Sequence, residues 1–236
     1  PRLVVITRGG EGSLAFGAGA STHAPPVPVN VVDTVGAGDT FQAALLTWLP
    51  AHAADIVIGL SADVTAIDPH YHNLTPNNAV ATHLFDFLVA RNEKSQLLPG
   101  LATEWKAIEP TIWEFKLRKG VRFSDGSDFT AADVVASIER VPKVPKSPSP
   151  FTAYTKQITK IDVVDPYTLR FKTAAPYAMV PQDLDSIFIV SHKAAKGAGT
   201  EDFNSGRAMI GTGPFRFVRF ARTMKSRALT VTSSSI

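Results

Sequence analysis

The sequence predicts an α/β fold, a mixed sheet with flanking helices preceded by a smaller strand-turn-helix piece. Three observations carry that expectation. Residues 117–139, LRKGVRFSDGSDFTAADVVASIE, pass from extended apolar spacing through a Ser-Asp-Gly turn into helical spacing. Residues 31–49 do the same through a glycine turn. Paired apolar runs around short turns, such as 158–164 and 168–172 about Asp165-Pro166-Tyr167, read as hairpins.

Taken in order, Leu3 to Thr7 is a continuous apolar strand signal, residues 8–12 form a glycine-rich turn, and 13–16 a second short strand. A loop rich in Ala, Gly and Pro follows through Pro28. Val31-Val32-Asp33-Thr34-Val35-Gly36-Ala37-Gly38-Asp39-Thr40-Phe41 then enters an apolar helix over 42–49. A strand feeding a glycine turn and then a helix converges backbone N–H groups on an anion. The same residues also suit a purely structural role, with Asp39 complementing the helix dipole.

This stretch closely resembles the C-terminal signature of the ribokinase-type (PfkB) carbohydrate kinases, matching DTxGAGD without a gap at residues 33–39. The resemblance implies that Asp39 takes the proton from a sugar hydroxyl, while Gly36, Ala37 and Gly38 offer N–H groups to the developing phosphate charge. ATP and Mg would be the cofactors of such a site. The likeness covers about residues 3–49, without the sugar-binding lobe and adenine-flanking helices of such a kinase, so the chain is expected not to be an enzyme.

Residues 45–54, LLTWLPAHAA, read as the end of the kinase-like helix and equally as the tail of a secretory signal, with Ala51-His52-Ala53 as an A-x-A site. No short basic segment precedes it, so no usable N-terminal signal is expected. The reading is a fusion of two gene fragments, a kinase piece over 1–50 and a second domain over 51–236; an ordinary Pro- and Ala-containing linker is the alternative.

In that second domain, 56–60 is an expected strand and 61–76 a long polar loop containing Ile67-Asp68-Pro69-His70. Asn77 or Asn78 should cap a helix whose apolar positions Val80, Leu84, Phe85 and Leu88 share a face. His70 and His72 have the spacing of possible metal ligands, yet no acid or thiol is placed beside them, so they read as loop histidines and no metal is expected. Residues 101–105 and 111–117 should form a hairpin with Trp105 and Trp113 as packing residues, ligand stacking being the alternative. Thr130 and Asp133 make a capping-box start for a helix carrying Ala131, Val134, Val135 and Ile138. Residues 141–150, with four prolines, read as a stiff extended loop, 176–184 as a short helix and 187–190 as a buried strand. Gly211 and Gly213 suggest close backbone approach before a strand at 214–217, and 230–235 is a run of small polar residues.

Leu98-Pro99-Gly100-Leu101-Ala102, Glu104-Trp105, Thr111-Ile112-Trp113-Glu114-Phe115-Lys116, the 117–139 run and Ile210-Gly211-Thr212-Gly213-Pro214-Phe215 together resemble the N-terminal lobe of the family 5 solute-binding proteins, the oligopeptide, dipeptide and nickel receptors of ABC importers. The likeness covers about residues 54–220. It implies a truncated lobe of the type II periplasmic-binding-protein fold, a peptide or small solute as ligand, an ABC permease as partner and a periplasmic location. It also implies that Asn73, Leu74, Thr75 and Pro76 face the ligand. Such receptors close two lobes on their ligand, so one lobe is expected to offer half a cleft and to bind weakly.

Composition bounds the remaining classes. The 236 residues contain no cysteine, which leaves neither a disulfide framework nor a thiolate metal site. No apolar run approaches the ~18 residues of a membrane helix. The net charge of +3 is uneven: Arg207, Arg216, Arg219, Arg222, Lys225 and Arg227 all follow the last acid, Asp202, leaving 18 bases against 21 acids before them. That basic end reads as a solvated tail. Nucleic-acid binding is not expected, because no aromatic face is interleaved with the charges.

Overall fold

The computed structural model describes backbone at residues 2–7, 13–17, 20–24, 55–58, 62–222 and 227–233, and side chains over 62–220. The chain divides into two compact units, Pro1–Asp63 and Val64–Ile236.

In the first unit, β1 (Arg2–Thr7) and β2 (Ser13–Gly17) are the two apolar runs expected from sequence. β2 pairs antiparallel with β1, Val4 opposite Phe16, and β3 (Ala20–Ala24) extends the sheet with Phe16 opposite Ser21. The expected loop thus contains a strand: Ala20-Ser21-Thr22-His23-Ala24 is weak in β-propensity, and the ladder offered by β2 decides it. β4 (Asp55–Ile58) lies parallel to β1 with Val57 opposite Val4, giving the order β3-β2-β1-β4. This sheet is mixed. The strand-turn-helix expected over 31–49 lies outside the described residues.

The second unit is built on a four-stranded antiparallel sheet of order β7-β8-β10-β9, formed by β7 (Ala102–Glu109), β8 (Ile112–Leu117), β9 (Ile158–Asp165) and β10 (Thr168–Thr173). Both expected hairpins are present, with Trp105 opposite Phe115 and Phe171 opposite Ile161. Phe115, Leu117, Leu169 and Phe171 project from one face into a core shared with Val134, Ile138, Phe151, Leu184 and Ile189. Phe115 meets Phe171 edge-on at 5.0 Å, and Trp105 stacks on Phe115 at 6.2 Å. Trp113 Nε1 donates to the Tyr177 carbonyl at 3.0 Å, so both tryptophans serve packing.

Helix Ala131–Arg140 covers this core and begins as its capping box requires, the Thr130 N–H donating to Asp133 Oδ2 at 2.8 Å. Asp133 Oδ1 also accepts from the His192 N–H and Nδ1, at 2.9 and 2.8 Å. One carboxylate thereby holds a helix start to a distant turn.

Four expectations change. The helix after the polar loop is Thr75–Ala81, with Leu74 at the N-cap and Pro76 in its first turn, so neither Asn77 nor Asn78 caps it. Leu84, Phe85 and Leu88 lie beyond that helix yet are buried. Their helical spacing is outweighed by backbone pairing of the 83–89 segment with residues 97–101 and 213–215, through which Val89–Arg91 (β5) meets Leu97–Pro99 (β6). Residues 187–190 are buried but touch the 87 region through one bridge, Phe87 to Phe188, rather than forming a strand. The proline-rich loop starts with a 3-10 turn, Val141–Lys143, and Lys146 takes a φ of 56°. Finally, Phe215–Arg222 (β11) and Arg227–Ser233 (β12) pair antiparallel, so the run expected to trail away as tail is a strand.

Gly211 and Gly213 have the role assigned to them. The Gly213 N–H donates to Leu84 O at 3.1 Å, and the Phe215 N–H to His83 O at 3.1 Å. A Cβ on Gly211 would fall 1.8 Å from Leu84 O, and one on Gly213 2.6 Å from Leu84 C. Both neighbours are backbone and cannot swing aside. Gly211→Ala is therefore expected to cost about 3 kcal/mol or more in urea unfolding, at the upper end of overpacking costs. Gly126→Ala has open space but a φ of +86°, and should cost about 1–2 kcal/mol.

Candidate functional site

The loop preceding helix Thr75–Ala81 is fixed by a buried charge cluster that the sequence did not announce. Arg140, at the end of its helix, donates from Nη1 to Asp68 Oδ1 at 2.8 Å and from Nη2 to Asp68 Oδ2 at 2.7 Å. This is a two-pronged pair with both residues under 10% exposed. The Asp68 carboxylate also accepts from the His70 N–H at 3.0 Å and from Thr200 Oγ1 at 2.9 Å. The guanidinium lies 4.4 Å from the Phe203 ring centroid. Burial alone would raise the Asp68 carboxyl, but the Arg140 guanidinium outweighs it and holds the group below its ordinary value.

His70 is fully buried in the same cluster, not a loop histidine exposed to solvent. Arg140 Nη1 lies 3.1 Å from its Nδ1, and Phe188 O lies 2.8 Å from its Nε2. An arginine can only donate and a carbonyl can only accept, so the neutral ring carries its proton on Nε2. Both ring nitrogens are engaged and neither is free for a metal. Burial, reinforced by the neighbouring Arg140 charge, pushes the imidazole down to about 4.

Above this cluster the chain emerges at Asn73. His72 pairs with Ser149 in a parallel bridge, the Asn73 N–H donates to Ser149 O at 2.9 Å, and Ser147 Oγ donates to Tyr71 O. Thr65 and Asn77 bond each other twice, Thr65 N–H to Asn77 Oδ1 at 3.0 Å and Asn77 Nδ2 to Thr65 Oγ1 at 2.9 Å. The Asn73 amide accepts from Asn78 Nδ2 at 2.8 Å and donates to the Tyr154 hydroxyl at 3.3 Å. Of the residues singled out from sequence, Thr75 is exposed, Asn73 and Leu74 are half-buried and Pro76 is buried. They adjoin one another at the start of the helix, beside Tyr154 in the 3-10 turn Phe151–Tyr154. Gly36, Ala37, Gly38 and Asp39 lie outside the described residues.

A groove of about 390 Å³ lined by Thr103, Lys116, Arg118, Lys119, Tyr167 and Thr168 is a weaker candidate. Lys116 pairs with Glu104, Arg118 donates to Gly100 O and Lys119 sits over the Tyr167 ring, so its cations are already engaged.

Residues 96–228 match the family of bacterial extracellular solute-binding proteins, family 5 middle. The chain belongs to this family. Residues 1–59 match the pfkB family of carbohydrate kinases. Over 186 residues the chain is 28% identical to the glutathione-binding protein GsiB of Escherichia coli (strain K12), covering 76% of this chain and 35% of that protein. It superposes on the Escherichia coli murein tripeptide binding protein MppA with a TM-score of 0.64 at 26% identity, covering 75% of this chain and 37% of that one. NikA from Brucella suis, solved in complex with Fe(III)-EDTA, gives a TM-score of 0.59 at 28% identity over 75% of this chain and 35% of that one. This chain thus spans about a third of the length of the relatives it matches. These likenesses place the second unit in the type II periplasmic-binding-protein fold. Among the described residues no helix is long and apolar enough to cross a membrane.

The family match explains why 98–139 was readable: its motifs are local. The Asp68–Arg140 pair spans 72 residues of sequence, and the Asp-Pro-His triplet was the one local hint of it. His70 generates a pH expectation. In the unfolded chain the imidazole binds a proton below its ordinary 6.5, but in the fold only near 4, so unfolding takes up a proton within that window. Stability should fall by roughly 3 kcal/mol as pH drops from about 6.5 to about 4, and burial of His83 acts in the same direction. Urea titrations at stepped pH should show this slope, reduced by about one proton in His70→Gln.

Proposed function

We propose that this chain binds a peptide or peptide-like solute as part of the receptor of an ABC importer on the extracellular side of the membrane. The contact is made through Asn73, Leu74, Thr75 and Pro76, with the Tyr154 hydroxyl beside them. The observation that carries this reading is an edge that comes to the surface at Thr75 and whose start is fixed in place: Asn73 is held through Ser149, Asn78 and Tyr154. The Tyr154 oxygen accepts from Asn73 and keeps its own proton to give to a ligand carbonyl or carboxylate. An edge that pre-set loses little order on binding. The proteins named for glutathione and for a murein tripeptide support a short peptide as the solute class.

A second reading follows from the pfkB match over 1–59 and the intact Asp33 to Asp39 signature. In it, the first unit is a kinase remnant fused to the receptor part, the two meeting after residue 50, and Asp39 with Gly36, Ala37 and Gly38 is what survives of a phosphoryl-transfer site. Its activity is not expected, because positioning supplies most of the rate and no sugar-holding lobe accompanies the motif.

Calorimetric titration of a di- to pentapeptide pool, with a complementary second lobe supplied as a separate chain, should give heat that Thr75→Trp abolishes by filling the edge. Binding indifferent to Thr75→Trp would move the site elsewhere. With ATP, Mg and a panel of sugars the chain should show no turnover. Turnover that collapses several-hundredfold in Asp39→Asn would establish the kinase reading instead.

A further inference from the structure

We infer that the solute edge selects ligands that carry a carboxylate, and that Lys146 supplies the charge that selects them; the inference rests on Asn73 to Pro76 being that edge. Pro145 and Lys146 lie in a turn, and Lys146 takes a φ of 56°. A proline followed by a residue of positive φ is the pattern of a type II turn, whose third position ordinarily takes glycine or asparagine because other side chains crowd the backbone there. Here it carries a lysine. A side chain kept where the backbone disfavours one points to a use for that side chain.

The turn is tied to the edge. Ser147 Oγ donates to Tyr71 O, His72 pairs with Ser149, and the Asn73 N–H donates to Ser149 O at 2.9 Å. Lys146, immediately before Ser147, is therefore held next to the segment that leads into Asn73. It is exposed, and a lysine's flexible stem lets its ammonium follow a ligand.

The charges around it are one-sided. Residues 69–85 and 141–161 hold no Asp or Glu, while the second stretch holds Lys143, Lys146, Lys156 and Lys160. Lys143 pairs with Glu139, Lys160 pairs with Asp162, and Lys156 acts on the Asp183 carboxyl. Asp68, just ahead of the first stretch, is taken by Arg140. Among the described residues, Lys146 is the lysine of these four that no carboxylate meets. The Tyr154 hydroxyl accepts from Asn73 Nδ2 at 3.3 Å and keeps its proton to donate. A neutral donor and an ammonium with no acid beside them match a carboxylate, which accepts from both, and disfavour a ligand ammonium.

The test titrates the intact chain with trialanine as the free acid, with trialanine amide and with Ala-Glu-Ala amide, following backbone amides by nuclear magnetic resonance, which registers weak binding. The free acid is expected to move the Asn73, Leu74 and Thr75 amides at about one-fifth the concentration that trialanine amide needs, the advantage fading as salt is added. Ala-Glu-Ala amide identifies the source of the carboxylate: parity with the free acid supports recognition of any carboxylate, and parity with trialanine amide supports recognition of the chain terminus. Lys146→Gln should bring the free acid to the level of the amide and leave the amide unchanged, whereas Lys146→Arg should retain the preference. Lys146→Gly should lose the preference while melting no lower than the parent, because glycine suits the positive φ. A lysine that only shaped the turn would give a glycine variant with the preference intact. Equal affinity for acid and amide, or a preference that survives Lys146→Gln, overturns the inference and leaves the edge reading standing. If none of the peptides moves those three amides, both fall.

Discussion

The second unit depends on a buried charge pair. Asp68 and Arg140 join the polar loop to the end of the core helix, Thr200 brings in the short helix Thr200–Asn204, and His70 ties in the segment at Phe188. Desolvating both charges is costly, and the excellent geometry together with the neutral donors around the carboxylate is what offsets it. Such a pair is by itself weak evidence of net stability; its geometry fixes which donor meets which oxygen. A hydrophobic patch in the same place would hold these four segments together but would not fix which carbonyl faces which donor. Arg140 Nε, buried without a hydrogen-bond partner among the described side chains, is the residual cost of seating the guanidinium there.

What was legible in the sequence divides by range. The Thr130–Asp133 box, the Asp165-Pro166-Tyr167 turn and the hairpin ending in Leu117 are written in neighbouring residues, and each forms where it was expected. The Gly211 and Gly213 reading also succeeded, because loss of a side chain at two alternating positions has few uses besides close approach. Helical spacing misled at Leu84, Phe85 and Leu88, where pairing with distant backbone overrode the pattern. β3 and β12 were missed for the same reason: small polar residues become strands when a neighbouring strand offers a ladder. Within the candidate site, the Asn73 to Pro76 edge was reached through family likeness, while Tyr154 and Arg140 were invisible because their partners lie far along the chain.

Two family likenesses meet in this chain, over residues 1–59 and 96–228, and the physical logic of the two families differs. The first matches carbohydrate kinases, whose task is to stabilise charge developing on a moving phosphoryl group. The second matches solute-binding proteins, a task that favours a frame with a pre-set surface. Neither task supports the other, and the two matches fall in different compact units, Pro1–Asp63 and Val64–Ile236.

The crossing at Gly211 and Gly213 has a bearing on when the second unit can finish folding. Thr212 Oγ1 reaches Asp86 across 126 residues, and the same crossing supplies backbone donors to His83 and Leu84. As the chain is synthesised, residues 83–86 emerge long before the segment that completes them. Until then the His83 and Leu84 carbonyls and the Asp86 carboxylate lack the donors this crossing supplies. Closing so long a loop is slow relative to local hairpins, so this crossing is set after the β7–β8 and β9–β10 hairpins have formed, and the seam at residues 83–86 is the last part of the second unit's core to gain its register.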